Sequence, residues 1–441
     1  MNLFGTDGIR NKVGAYPLTQ EALPLLGKAL ALWSQEKYGQ NDSQACFLIA
    51  QDTRYSGPWI KAGLMAGLLR YPLTIYDVGV LPTPGVFNLM QEDSRFTGGI
   101  IISASHNLAE DNGIKLVDAR SGKLSAYDEK RICELMNQQG TEQDFAQLGK
   151  EISFAQAKTL YRKNLLRLFS PGFLTGKTIV LDCANGASSV IAPHLFRELG
   201  ATVIAIHNDP DGFNINRNCG ATSPESLQKA VVAHEAFMGF AFDGDADRLI
   251  AVNRNGEIKD GDDLLAVLQT HRDYKEERAL VSTVMANYGL TAHLIPLEKK
   301  LLRTQVGDKH ILEILDAENL NLGGEPSGHI ILKNIIRTGD GMLVALKVLE
   351  TVIQTGNETL ESFTKFPQII INVPIKHKKD LNEPPFSTFI AAQKEQLSAG
   401  RLLVRYSGTE PLVRVLVEGR DLEKVKDGAQ IVAKYLQEAL S

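Results

Sequence analysis

The sequence predicts an α/β protein: three similar doubly wound α/β domains plus a C-terminal α+β domain around a central cleft. Three observations predict it. Strand-like and helix-like segments alternate in three successive rounds, the pattern of sheets covered by helices on both faces. Each round closes on an unusual polar loop, in turn SASHN, DGDADR and GGEPSGH. The last part of the chain then abandons the alternation. A length of 441 residues accommodates about three domains, or four small ones.

In the first round, ACFLIAQD (45–52), LTIYDVG (73–79) and TGGIIIS (97–103) are short apolar runs and predicted strands. Between the first two, SGPWIKAGLMAGLLR (56–70) has helical spacing, with Ser56 placed to cap it. The second round has strands in KTIVLDCANG (177–186), ATVIAIHND (201–209) and FMGFAFDGD (237–245), with helices in SSVIAPHLFRELG and SPESLQKAVVAHE. The third places strands in ALVSTVMAN (279–287), KLLRTQVG (300–307) and LNLGGEPSGHIIL (320–332). At the C-terminus, FPQIIINVPI (366–375), RLLVRYS (401–407) and PLVRVLVEG (411–419) read as strands, the last two paired antiparallel. DLEKVKDGAQIVAKYLQEAL (421–440) is an amphipathic helix, and KHKKD (376–380) a solvated loop. The expected domains are 1–152, 153–257, 258–364 and 365–441.

Hydrophobic residues make up 44% of the chain, which excludes global disorder. A net charge of −5 gives no electrostatic reason to expect a nucleic-acid partner. No apolar run approaches the ~18 residues of a membrane span. MNLFGTDGIR lacks a basic-then-apolar leader, so the expectation is a cytoplasmic protein without membrane attachment. None of Cys46, Cys133, Cys183 and Cys219 forms a CxxC pair, and no disulfide framework is expected.

Ligands in α/β sheets bind beyond the carboxyl ends of strands. The three polar loops are therefore the candidate site. In AFDGDADR, Asp243, Asp245 and Asp247 crowd like charge into one turn, which is unfavourable without a cation. Their hard oxygens suit Mg²⁺ or Ca²⁺. An EF-hand is excluded, because Arg248 and Arg254 stand where its Gly and Glu belong and a strand precedes the loop. In IIISASHNLAEDNGIK, Ser105 lies just beyond a strand, beside His106, with Lys115 ten residues on. Such a serine can be a nucleophile, a metal ligand once phosphorylated, or a turn former. In GGEPSGH, Glu325 and Ser327 offer what sugar hydroxyls require, and His329 can exchange protons near neutrality, although a glycine-rich turn reads equally well. In RYSGTEP, Arg405, Ser407, Gly408 and Thr409 suit a dianionic phosphate or a plain hairpin turn. PGFLTGKT (171–178) only mimics a P-loop, since its GKT leads into a strand rather than opening a helix.

Together these motifs resemble the α-D-phosphohexomutase superfamily along essentially the whole chain. They run in order: FGTDGIR (4–10), QDTRYSG (51–57), SASHN with DNGIK (103–107, 111–115), DCANGA (182–187), NINRNCGAT (214–222), DGDADR (243–248), QVGD (305–308), GEPSGH (324–329), TGDG (338–341) and RYSGTEP (405–411). NINRNCGAT and the VGD segment favour the branch acting on glucosamine phosphates. The resemblance implies interconversion of glucosamine 6-phosphate and glucosamine 1-phosphate through a phosphoserine enzyme and a 1,6-bisphosphate, feeding UDP-N-acetylglucosamine synthesis. The alternative is the same chemistry on glucose or mannose phosphates. The resemblance implies that Ser105 carries the phosphate and that Asp243, Asp245 and Asp247 hold one Mg²⁺ together with it. It places Arg10, Lys115, Arg248 and His329 at the reacting centre, Glu325 and Ser327 on sugar hydroxyls, and Arg405, Ser407, Gly408 and Thr409 on the resting phosphate. It also implies a glucosamine or glucose 1,6-bisphosphate activator and a monomer or homodimer. Three positions depart from the usual pattern. Asn107-Leu108 replaces Asn-Pro, which loses a rigid φ. Ala246 replaces a glycine, at about 1 kcal/mol if φ there is positive. Gly307-Asp308-Lys309-His310 replaces Gly-Asp-Arg-Tyr.

Overall fold

The computed structural model describes residues 3–5, 7–38, 45–118, 122–138, 148–397, 400–406 and 412–440. Contacts divide the chain into two compact units, Met1–Val284 with Leu302–Glu361, and Met285–Leu301 with Ser362–Ser441.

The first unit is built on mixed sheets. In the first sheet the order is Ile9–Lys12, Asp111–Asp118, Phe96–Ile102, Cys46–Gln51, Thr74–Val80, Lys150–Ser153, with Gly122–Lys123 also pairing Asp111–Asp118. The second runs Ile258–Lys259, Leu249–Asn253, Met238–Phe242, Thr178–Asp182, Thr202–Ile206. The third runs Lys300–Thr304, Ala279–Thr283, Leu322–Gly324, Ile330–Leu332.

One plan repeats. The first strand of each round lies between the second and the third, and the third returns through the polar loop as an antiparallel fourth strand. The turns close at Ile102↔Ile114, Phe242↔Leu249 and Gly324↔Ile330. The expected repeat of element order is therefore present. The return strands are what patterning does not announce. LIAVN (249–253) and IIL (330–332) are wholly buried, so they show no alternation. Because the strands on both sides of each turn are buried, SASHN, DGDADR and EPSGH are all hairpin loops anchored at both ends.

Local details correct two readings. Ser56 precedes the helix Gly57–Leu68 but its side chain makes no capping bond. Its hydroxyl instead accepts from Asn112 Nδ2 at 2.8 Å, and proline in the first turn starts the helix. The run 320–332 is two short strands rather than one, broken at the EPSGH turn. Lys177 leads directly into the strand Thr178–Asp182, as the rejection of the P-loop requires.

The second unit contains the antiparallel sheet Gln368–Pro374, Leu412–Gly419, Gly400–Tyr406. The helix Leu422–Leu440 lays Val425, Ala429, Val432 and Leu436, at helical spacing, into one core with Val413, Val415 and Val417. The helix Tyr288–Leu294 belongs to this unit. Its cap, Asn287, accepts from the backbone of Gly289 at 2.9 Å and of Phe366 at 3.0 Å. The helix Phe386–Gln396 was not anticipated. All four cysteines are free. Among the described residues, no helix is long and apolar enough to cross a membrane.

Candidate active site

The strand Phe96–Ile102 is buried over its last five residues. Beyond it, Ser103 Oγ donates to Asp52 Oδ2 at 2.6 Å and accepts the Ser105 N–H at 2.9 Å. Ser105 takes a left-handed backbone, φ 52°, and its buried hydroxyl donates to Asp243 Oδ2 at 2.6 Å. His106 Nδ1 lies 3.4 Å from Ser105 Oγ. Burial, then Arg248 and Arg10, lower the His106 pKa to about 4, so this imidazole is neutral at neutral pH.

Asp243, Asp245 and Asp247 occupy the hairpin loop between Met238–Phe242 and Leu249–Asn253, all three buried. One oxygen from each lies within 4.8 Å of the others. Asp243 Oδ1 accepts the Arg248 N–H at 3.1 Å. Asp245 Oδ2 accepts from Thr83 Oγ1 at 2.6 Å and Lys115 Nζ at 2.8 Å. Asp247 Oδ2 accepts from Lys115 Nζ at 3.0 Å. Asp245 Oδ1 and Asp247 Oδ1 are buried without a hydrogen-bond partner among the described residues. Orphaned carboxylate oxygens beside like charges are costly unless a cation sits among them. An all-oxygen set of this kind fits a hard divalent metal. Burial, then Asp247 and Asp245, push Asp243 up to about 8. Burial opposes ionisation of Asp247 too, but Lys115 and His329 outweigh it and hold that carboxyl well below its usual range.

Cations surround the loop. Lys115 Nζ lies 2.8 Å from Asp245, 3.0 Å from Asp247 and 3.1 Å from Asp7. Burial disfavours its charge, but these carboxylates prevail and raise its pKa well above the lysine value. Asp7 also meets Arg10 at 2.5 Å and Lys123 at 2.9 Å. Lys123 reaches Asp308 at 2.5 Å, Asp308 lies 3.4 Å from His329 Nε2, and His329 Nδ1 lies 3.6 Å from Asp247. Lys115, Asp7, Lys123, Asp308, His329 and Asp247 thus form a closed ring in which carboxylates alternate with nitrogen groups. Burial opposes a second proton on His329, yet Asp247 and Asp308 raise its pKa to about 9. The Gly339 N–H, however, donates to His329 Nε2 at 3.1 Å and requires a lone pair there. The amide geometry decides between the two, and the ring stands neutral in this arrangement with its proton on Nδ1. The Arg248 guanidinium is held charged against burial by Asp243, Asp247 and Glu325.

Glu325 Oε1 accepts the Gly307 N–H at 3.0 Å, and its Oε2 accepts from Ser327 Oγ at 3.2 Å. Gly328 seats this loop against the metal-loop hairpin. It has φ +92°, and a Cβ there would stand 2.1 Å from Leu249 O. Gly341 of TGDG donates to Ala246 O at 3.0 Å. Ser105, the three aspartates, Arg10, Lys115, Arg248, Glu325, Ser327 and His329 therefore all lie in the first unit. Arg405 lies in the second, on Gly400–Tyr406, opposite Arg414 in the sheet. Burial and then Arg414 lower its pKa. Ser407, Gly408 and Thr409 lie outside the described residues.

Sequence reasoning assigned no role to Asp7, Arg54, Thr83, Lys123, Asn216 or Asp308. Asp7, Arg54, Asn216 and Asp308 sat inside quoted motifs, and an Asp-x-Arg directly after a buried strand was a usable signal. Lys123 carried none.

Family models match the chain domain by domain: Phosphoglucomutase/phosphomannomutase, alpha/beta/alpha domain I over residues 1–143, domain II over 170–256, domain III over 260–368, and the C-terminal domain over 370–434. The phosphoglucosamine mutase of Acinetobacter baylyi is 40% identical over 443 residues, spanning 99% of each chain. The chain belongs to the phosphoglucosamine mutase family. Its fold is also that of a phosphoglucomutase/phosphomannomutase family protein from Burkholderia thailandensis, at TM-score 0.82 and 21% identity over 100% of this chain and 98% of that one. The N-acetylphosphoglucosamine mutase of Aspergillus fumigatus, solved in complex with GlcNAc-6P and magnesium, shares the fold at TM-score 0.69 and 18% identity, covering 100% and 96%.

Set against the phosphoglucosamine mutase family, the three departures acquire physical content. Ala246 does take a positive φ, 57°, so the conditional cost of about 1 kcal/mol applies. Leu108 is half-exposed, and its carbonyl accepts from Arg54 Nη1. Lys309 Nζ reaches Leu124 O at 3.4 Å, while His310 turns to Glu313 at 3.1 Å.

Proposed function

We propose that the chain interconverts glucosamine 6-phosphate and glucosamine 1-phosphate through a phosphorylated Ser105 and a 1,6-bisphosphate, and so feeds UDP-N-acetylglucosamine and peptidoglycan-precursor synthesis. The observation that carries this reading is the 2.6 Å hydrogen bond from Ser105 Oγ to Asp243, one of three clustered aspartates. The free sugar hydroxyl attacks phosphorus as the Ser105 Oγ–P bond breaks, and the hydroxyl proton passes to a base. The bisphosphate turns end for end, and Ser105 recovers the other phosphate.

Phosphorylated Ser105 with Asp243, Asp245 and Asp247 would hold one Mg²⁺, which when bound supplies charge neutralisation on the transferring oxygens. Arg10 and Arg248 stabilise charge that develops on the phosphoryl group. Lys115 and His329 form the acid–base pair. Glu325 and Ser327 bind sugar hydroxyls. Arg405, Ser407, Gly408 and Thr409 bind the phosphate that is not reacting. Glucosamine or glucose 1,6-bisphosphate primes the serine. The working domains are 1–152, 153–257, 258–364 and 365–441. Four unpaired thiols suit the reducing cytoplasm, and the protein acts as a monomer or homodimer without a nucleic-acid or membrane partner.

Intact mass before and after phosphatase treatment tests the phosphoserine. A wild-type protein that never carries phosphate on Ser105, even after bisphosphate treatment, sinks the proposal. Kinetics on glucosamine, glucose and mannose phosphates side by side test the substrate. A higher kcat/KM on glucose or mannose phosphate would move the chain to the alternative branch.

A further inference from the structure

Arg54 is 1% exposed and is among the largest wholly buried side chains. Burying a guanidinium is costly unless its donors are used. Here they converge on one loop. Nη2 donates to Ser105 O at 3.0 Å and Asn107 O at 2.7 Å. Nη1 donates to Asp111 O at 3.0 Å and to Leu108 O. Nε pairs with Asp52 Oδ2 at 2.9 Å, the carboxylate that also receives Ser103 Oγ at 2.6 Å. From another part of the chain, Asn216 Nδ2 donates to two of the same carbonyls, Ser105 O at 2.8 Å and Asn107 O at 2.9 Å.

We propose that Arg54 is a positioning residue for the phosphoryl-carrying serine, with Asn216 as its second support. It rests on the reading of Ser105 as the phosphoryl carrier. The left-handed backbone of Ser105 is a sparsely populated state for a residue with a Cβ, and such a state persists only where its surroundings over-determine it. Four carbonyls held by one planar fork, two of them held again by an amide, supply that constraint. If the loop relaxed, Ser105 Oγ would rotate away from Asp243. At Leu108 the carbonyl also accepts the Asp111 N–H at 3.2 Å, but the Leu108 N–H donates to nothing among the described residues and the side chain is half-exposed.

The test uses Arg54→Lys, which keeps the charge but loses the fork, and Asn216→Ala, which removes the second support and places alanine at φ 57°. For Arg54→Lys we expect kcat to fall about 100-fold with KM for glucosamine 6-phosphate little changed. Asn216→Ala should show the same split, smaller. Adding Leu108→Pro to Arg54→Lys should restore part of kcat, because proline stiffens the loop without removing a used donor. If Arg54→Lys does not fold, Asn216→Ala with the same readouts decides. Unchanged kcat in the folded variants, or a loss lying in KM, overturns the inference. Phosphate on wild-type Ser105 is measured alongside by intact mass. Its absence means that the functional reading has failed. Its presence with unchanged kcat means that only the role of Arg54 has failed.

Discussion

Ser105 Oγ and Asp243 Oδ2 stand 2.6 Å apart although 138 positions separate them in the chain. Two hairpin loops from different sheets bring a hydroxyl to a carboxylate cluster. Ser105→Ala removes the hydroxyl and little else, so turnover should vanish while the melting temperature shifts only slightly. Residual turnover near the wild-type rate would show that another group carries the phosphate.

The buried, partnerless Oδ1 atoms of Asp245 and Asp247 predict a stabilising response to metal. Added Mg²⁺ should raise the wild-type melting temperature, and Asp245→Asn should abolish that shift. A chelator should stop turnover and excess Mg²⁺ should restore it. Chelator-resistant activity would rule out a metal requirement.

Ala246 sits buried at φ 57°. Ala246→Gly relieves that backbone and should raise unfolding free energy by up to about 1 kcal/mol. Denaturant titration reads this directly. A fall in stability would mean that packing of the Cβ outweighs the backbone cost.

Glu350 predicts a pH signature away from the active site. It meets Lys347 at 2.9 Å, Arg272 at 2.8 Å and His271 at 3.1 Å. Burial opposes its charge, but His271 and Lys347 outweigh it and hold the pKa at about 2. Because the folded pKa lies below the unfolded one, the stabilisation is fully present above about 4.5 and fades as pH falls towards about 2. Glu350→Gln should therefore cost about 1–2 kcal/mol at pH 7, discounted for partial solvent screening. The difference from wild type should close below pH 4.5. A gap constant down to pH 2 would point to lost packing rather than lost charge.

The residues with the strongest chemistry were legible because they are local. Asp243, Asp245 and Asp247 cannot share one turn after a buried strand without inviting a cation. Ser105 and Glu325 mark the corresponding turns of the other two rounds. Lys123 was not legible, since an isolated charge in a sequence reads as solvated surface until its partner is known. Ser56 misled for the same reason. Its position matched a helix cap, but Asn112, more than fifty positions away, claimed its hydroxyl.

By itself the sequence determined the three-fold succession of elements, the loops that carry chemistry and the family to which the chain belongs. All of these are written in short-range burial patterns and in motifs of a few residues. Only the tertiary structure decided that the third strand of each round turns back antiparallel, that Arg54 and Asn216 grip the carbonyls beneath Ser105, and that six polar side chains close into a ring. Those outcomes depend on which distant groups meet once apolar surface is buried, and no short stretch of chain holds both partners of such a contact.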